Sequence, residues 1–396
     1  MKLLLAALLG YLLGSISPAY ILGRLLRHID IREHGDTNAG TVNTYRVLGL
    51  WPAVITAVFD LSKGLAALFL AVRVLSVPLP QAFVAPVLAI IGHVAPFYLQ
   101  FRAGQGVATA VGLLLFALGR KIALGEFPPV YLLFLVLVVI AFGYITRKGE
   151  MVGAVVLPLL GVYLYLLTRH DEWLLLLECM VAYILLVNFY NLVHLKVVTW
   201  KPVVRRGIHW WRFFLRPLAL IFPVLYKAVS PRFSQILLGA VTLFFIALDV
   251  ARLGAAPFNR LLQRRLPRLF KPKETTRISS ITLFLVSTFL IFLLFRFDLA
   301  LSAMLFLVFG DMAAKFFGLQ FGRNAVFEKT LEGSLAFLVT CLIVASILVQ
   351  YYPVPATTLV LGALAATLTE VLPIGLDDNL TITIISASTM YASLLF

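Results

Sequence analysis

Cysteine is nearly absent from this chain, and acid is scarce beside base. Its two cysteines, Cys179 and Cys341, stand alone in apolar runs. That excludes a disulfide framework or a thiolate zinc cluster and makes core packing their expected role. Aspartate and glutamate number 18 against 33 lysines and arginines. Charged residues are 13% of the chain and hydrophobic ones 61%, with a mean hydropathy of +0.99. A soluble protein of 396 residues could not keep so much apolar surface from water. No Walker lysine motif occurs, so a P-loop is excluded as a nucleotide scaffold. The two-residue alternation of a membrane β-barrel is missing. So is any internal repeat of the kind that builds many transporters.

What is present is apolar sequence in long runs, among them Val130–Tyr144, Ile281–Phe295 and Leu335–Val349. These approach the length that crosses a bilayer. The expected fold class is all-α, a polytopic integral membrane protein with roughly 13 spans of about 20 residues each, in two unlike modules. The stretch Met1–Gly14 has no clean small-residue cleavage site after it and is expected to be a retained first helix. The formal net charge is +15, and Lys196–Arg277 holds 16 of the 33 basic residues with only two acids, Asp249 and Glu274. Basic loops stay on the cytoplasmic side and favour anionic headgroups. The loops Asp30–Arg46, Arg102–Gln105, Lys196–Arg216 and Arg252–Arg277 are therefore expected on the cytoplasmic face of a cell (inner or plasma) membrane. The charges flank spans and no binding motif appears, so nucleic acid is not an expected partner. The loop that opens at Lys196 divides the modules, 1–195 and 196–396.

In the first module, Asp30–Arg46 reads D-I-R-E-H-G-D-T-N-A-G-T-V-N-T-Y-R. Polar residues are costly in a membrane and usually mark a site. Small residues that bare backbone N–H groups beside arginine suit an anion, with phosphate the natural guess. A second loop follows Gly92-His93 and reads F-R-A-G-Q-G-V-A-T over residues 101–109. It too leads with glycines into a helix N-terminus. Together with Gly14-Ser-Ile-Ser-Pro-Ala-Tyr20 and Asp60-Leu-Ser-Lys-Gly64, these segments resemble the bacterial membrane acyl-phosphate:glycerol-3-phosphate acyltransferases over about residues 1–195. The resemblance implies acyl transfer from acyl phosphate to the 1-hydroxyl of glycerol 3-phosphate, without acyl-CoA or acyl carrier protein as direct donor. It implies catalytic roles for Asn43, Arg46 and His93. Substrate binding would fall to Gly35, Asp36, Asn38, Gly40, Arg102, Gly104, Gln105, Gly106, Thr109 and Asn191, the last in Asn191-Leu-Val-His194. No Ser–His–Asp set is evident, and no histidine has an aspartate five residues later, the signature of the other common glycerolipid acyltransferases. Two departures stand out. Asp36-Thr37-Asn38 replaces Ser-Gly-Asn, and Gln105 replaces the second lysine of F-K-G-G-K-G.

The second module carries Arg205-Arg-Gly-Ile-His209, then Asp249 with Arg252 and Lys273-Glu274. It continues with Gly310-Asp311-Met-Ala-Ala-Lys315 running through Gly318 and Gly322-Arg323 to Lys329-Thr-Leu-Glu-Gly-Ser334. Asp377-Asp378-Asn379 comes last. The plain readings are an i,i+4 ion pair for Asp311 and Lys315, helix packing for Gly318 and Gly322, and a helix cap at Asp377, Asp378 or Asn379. Together, carboxylates and lysines in an apolar module also suit nucleotide chemistry. This half, with Glu370 ahead of the aspartate pair, resembles the dolichol kinase, phytol kinase and CTP-dependent diacylglycerol kinase family. The resemblance implies phosphoryl transfer from CTP or another nucleotide to a lipid alcohol. Asp311 and Lys329 would be catalytic, and His209, Lys315 and Glu332 would bind substrate. Asp311, Asp377 and Asp378 would hold Mg²⁺. The alternatives are a cytidylyltransferase forming a CDP-lipid, and a non-catalytic lipid-binding or transport protein.

Overall fold

The computed structural model describes residues 1–168, 171–194, 216–265 and 275–395. Ser17 sets the first corner of the chain. Its hydroxyl accepts the Tyr20 N–H and Pro18 occupies the first helical position, so α1 (Lys2–Ser15) ends and α2 (Pro18–Arg27) begins within three residues. Such a cap satisfies one of the donors a helix start leaves open. Then come α3 (Thr41–Leu48), α4 (Leu50–Phe69), α5 (Leu79–Ala82), α6 (Val84–Val94), α7 (Val107–Ala123), α8 (Pro129–Thr146), α9 (Gly149–Thr168) and α10 (Leu174–His194). Small residues let these helices touch backbone to backbone. A Cβ at Gly14 would stand 2.1 Å from the Ala89 carbonyl oxygen of α6, and one at Gly112 would stand 1.9 Å from that of Leu61 in α4. Close approach through small residues is how helices associate where lipid offers no hydrophobic drive.

The later helices are α11 (Ile221–Ala228), α12 (Pro231–Gly254), α13 (Ala256–Arg265), α14 (Ser280–Leu294), α15 (Phe297–Leu305), α16 (Asp311–Phe321), α17 (Leu331–Leu348), α18 (Ala356–Val371) and α19 (Asp378–Ser393). Strand among the described residues is confined to a hairpin of β1 (Ala325–Val326) and β2 (Lys329–Thr330). A π-helical turn, Phe306–Gly310, joins α15 to α16. The core here includes Phe306, Leu307, Phe337, Cys341, Ala363 and Met390, all fully buried. Arg252 is also fully buried, satisfied by Asp249 Oδ1 at 2.6 Å and the Arg277 carbonyl at 2.7 Å.

The chain divides into two compact units, Met1–Val139 with Lys148–Val198, and Ile140–Arg147 with Thr199–Phe396. The protein is an all-α polytopic membrane protein. Nine helices among the described residues are long and apolar enough to cross a bilayer, with three shorter apolar helices beside them. The expected count was roughly 13 at about 20 residues per span. Segments such as Ser280–Leu294 and Ala356–Val371 are predominantly apolar yet shorter than that. Cys341 is buried as expected, but Cys179 is exposed, since an apolar helix presents apolar residues on its outer face too.

Candidate functional site

The first polar loop is shaped from within by Asn43. This side chain, 1% exposed, accepts the Asp36 N–H at 3.0 Å and donates to the carbonyls of Ile31 and His34 at 3.1 and 2.9 Å. The loop curls around it with Gly35 and Thr37 both at left-handed φ, +66° and +61°. Thr37 is a β-branched residue in a region that costs it energy, at the position where the sequence resemblance expects glycine. The loop ends at Gly40, which begins α3 without a side-chain cap. The first N–H groups of that helix are thereby left for a ligand or water.

Arg32 ties this loop to the second one. Its guanidinium donates to both oxygens of Asp30, at 3.0 and 2.7 Å, and to the carbonyls of Leu99 and Arg102, at 2.7 and 2.9 Å. The Ala39 N–H adds a bond to the Ala103 carbonyl at 3.3 Å. Hydrogen bonds from the Arg32 side chain, against an opposing push from burial, hold the Asp30 carboxyl below the usual aspartate value. The second loop is joined in turn to the end of α10. Gln105 and Asn191 pair amide to amide, at 2.9 and 3.2 Å, and the Tyr183 hydroxyl donates to the Gln105 carbonyl. Gly106, at φ +69°, starts α7 with no side-chain cap. Three segments distant in sequence thus meet; two of them lead into uncapped helix starts, and Arg46 and Arg102 are both exposed.

Beneath the loops lies a buried charged group. Lys63 donates to Asp60 at 2.8 Å and to the carbonyls of Gly14 and Ile16 at 3.0 and 3.3 Å. His93 Nδ1 is 3.4 Å from the same Asp60 oxygen. The other edge of His93 lies under the second loop, where a Cβ on Gly104 would stand 2.0 Å from Nε2. Asp60 and Lys63 belong to the Asp60-Leu-Ser-Lys-Gly64 segment and lie outside the set of expected site residues. Charges three apart inside an apolar helix were the available signal.

Residues 4–197 match the glycerol-3-phosphate acyltransferase family. A glycerol-3-phosphate acyltransferase of Streptococcus thermophilus (strain CNRZ 1066) is 37% identical over 178 residues, covering 43% of this chain and 78% of that protein. The chain belongs to this family. Another member, from Thermosynechococcus vestitus, is 40% identical over 163 residues and covers 39% of this chain and 74% of its own length. A crystal structure of PlsY (YgiH), an integral membrane glycerol 3-phosphate acyltransferase in its glycerol 3-phosphate form, overlaps with a TM-score of 0.40 at 22% identity, covering 52% of this chain and 100% of that one.

Against this family background the expected site residues fall into two groups. Gly35, Asp36, Asn38, Gly40, Arg46, Arg102, Gly104, Gln105, Gly106 and Asn191 lie in or against the joined loops. Asn43, His93 and Thr109 lie beneath them. All three are buried, at 1%, 6% and 0% exposed. Asn43 is taken up by loop backbone, His93 lies between Asp60 and Gly104, and the Thr109 methyl faces Gly64 in the α4–α7 contact. Asp36 pairs with Arg46 at 3.3 Å, which offsets its repulsion of an anion.

In the second unit, Lys329 at the hairpin reaches Glu370 at 3.1 Å and Asp378 at 2.9 Å, and Ser334 donates to the other Glu370 oxygen at 3.1 Å. Burial alone would lower the Lys329 ammonium, but the two carboxylates outweigh it and raise its pKa. The three aspartates expected to share Mg²⁺ are each engaged otherwise. Asp311 pairs with Lys315 at 2.6 Å, Asp377 caps α19 through the Asn379 N–H, and Asp378 holds Lys329. Among the described residues no three His, Cys, Asp or Glu gather to hold a metal ion. Glu332 stands in the first turn of α17. It is fully buried and accepts the N–H groups of Arg323 and Asn324 at 3.0 and 3.2 Å, bracing the hairpin. Gly318 abuts Thr330 and Gly333, a helix-packing role. His209, with Arg205, Arg206, Lys273 and Glu274, lies outside the described residues.

Proposed function

We propose that the first unit transfers an acyl group from acyl phosphate to glycerol 3-phosphate, giving lysophosphatidate. The observation that carries this is the joining of two glycine-bearing loops, each opening an uncapped helix, through Arg32 and the Ala39–Ala103 bond. The reaction needs two phosphates held and a hydroxyl aimed at a carbonyl. A new ester C–O bond forms as the C–O bond to phosphate breaks, and inorganic phosphate leaves. Acyl phosphate already has a good leaving group, so fixed donors and positioning do most of the work. Arg46, Arg102 and the helix N–H groups are those donors, and the buried Asn43 and His93 keep the loops in place. The basic character of the loops favours the cytoplasmic face of the cell membrane for this site. In purified full-length protein, Arg46→Ala should lower acyl-phosphate-dependent lysophosphatidate formation by about 100-fold. Unchanged turnover would remove Arg46 from the site.

For the second unit we infer phosphoryl transfer from CTP to a lipid alcohol, supported by the gathering of Lys329, Glu370 and Asp378 into one charged cluster at the hairpin. Lys329→Ala should abolish CTP-dependent lipid phosphorylation while CDP release identifies the wild-type reaction. Pyrophosphate release instead would make it a cytidylyltransferase.

A further inference from the structure

The first loop carries an anion of its own. One Asp36 oxygen lies 3.3 Å from Arg46 Nη1, and the other accepts the Asn38 N–H at 3.2 Å. A guanidinium and a loop N–H are the donors an incoming phosphate would use. The pair is solvent-accessible, with the Arg46 and Asp36 side chains 61% and 34% exposed. Nearby, the second loop offers a neutral group at Gln105, whose amide is closed against Asn191 on both its donor and acceptor atoms.

Resting on the acyltransferase reading above, we propose that Asp36 is a specificity-determining residue, a tethered anion that competes with substrate phosphate for Arg46 and the Asn38 N–H. A phosphate reaching this loop must displace the carboxylate or share its partners, and a dianion is disfavoured more than a monoanion. An exposed ion pair is weak, so the carboxylate yields to substrate and sets a low affinity without closing the site. Gln105 adds no charge to offset this. The loop therefore binds phosphate esters weakly by construction.

The test uses the full chain in detergent. Binding of inorganic phosphate and of glycerol 3-phosphate is measured by calorimetry, and KM and kcat for glycerol 3-phosphate are measured with acyl phosphate as donor. Asp36→Asn keeps an acceptor for the Asn38 N–H and removes only the charge. Both ligands should bind it roughly fivefold more tightly, with KM falling by a similar factor and kcat changing less. Asp36→Ser, a second removal of the charge, should behave alike. In an Arg46→Ala background the gain should shrink, because competition needs a shared partner. Equal or weaker binding by both folded variants overturns the proposal, as does an undiminished gain without Arg46. Tighter phosphate binding without any acyl transfer would keep this proposal and remove the functional reading. Absence of phosphate binding in every form removes both.

Discussion

Asp30 is the residue on which the joined loops turn, because it fixes the guanidinium that spans them. Its carboxyl sits below the ordinary value of 3.8, chiefly through the Arg32 side chain. A depressed carboxylate contributes stability that is fully present above the unfolded value and is lost as pH falls through the folded one. The loss of thermal stability on Asp30→Asn should therefore be constant from about pH 8 to pH 5 and should close only below about pH 4. Thermal unfolding in detergent across that range checks it, and a difference already gone at pH 6 would contradict the assignment. At the same scale, Asn43 shows what a buried polar side chain does in a greasy chain. Its three backbone partners make it the post around which the loop is wound.

At the scale of elements, the contact between the second loop and α6 decides how α7 is presented. Gly104→Ala would put a methyl 2.0 Å from His93 Nε2, and the flexible partner is a ring already enclosed beside Asp60. The expected outcome is a rise in KM for glycerol 3-phosphate of tenfold or more, corresponding to the ~1–3 kcal/mol typical of overpacking. His93→Ala should relieve the clash, so the double variant should bind better than Gly104→Ala alone. A double variant no better than the single one would separate the two residues. The loops themselves were legible in the sequence, because glycine and arginine before an apolar run are unusual where polarity is costly. What joins them was not. Arg32 reads as one more basic residue near a span until its carbonyl partners, Leu99 and Arg102, are seen about 70 positions away. Likewise Asp377 in Asp377-Asp378-Asn379 reads equally as a metal ligand and as a helix cap, and the Asn379 N–H contact shows that it caps α19.

The whole molecule combines a family acyltransferase unit with a second helical unit. The all-α membrane class followed from composition, and hydropathy alone does not distinguish a full crossing from the shorter apolar helices among the described residues. The acyl donor is the most direct test of what the first unit does. Full-length protein in detergent, given glycerol 3-phosphate and either acyl phosphate or acyl-CoA, should form lysophosphatidate with release of inorganic phosphate only from acyl phosphate. Turnover with acyl-CoA alone, or no lysophosphatidate from acyl phosphate in protein shown to be folded, would contradict the account.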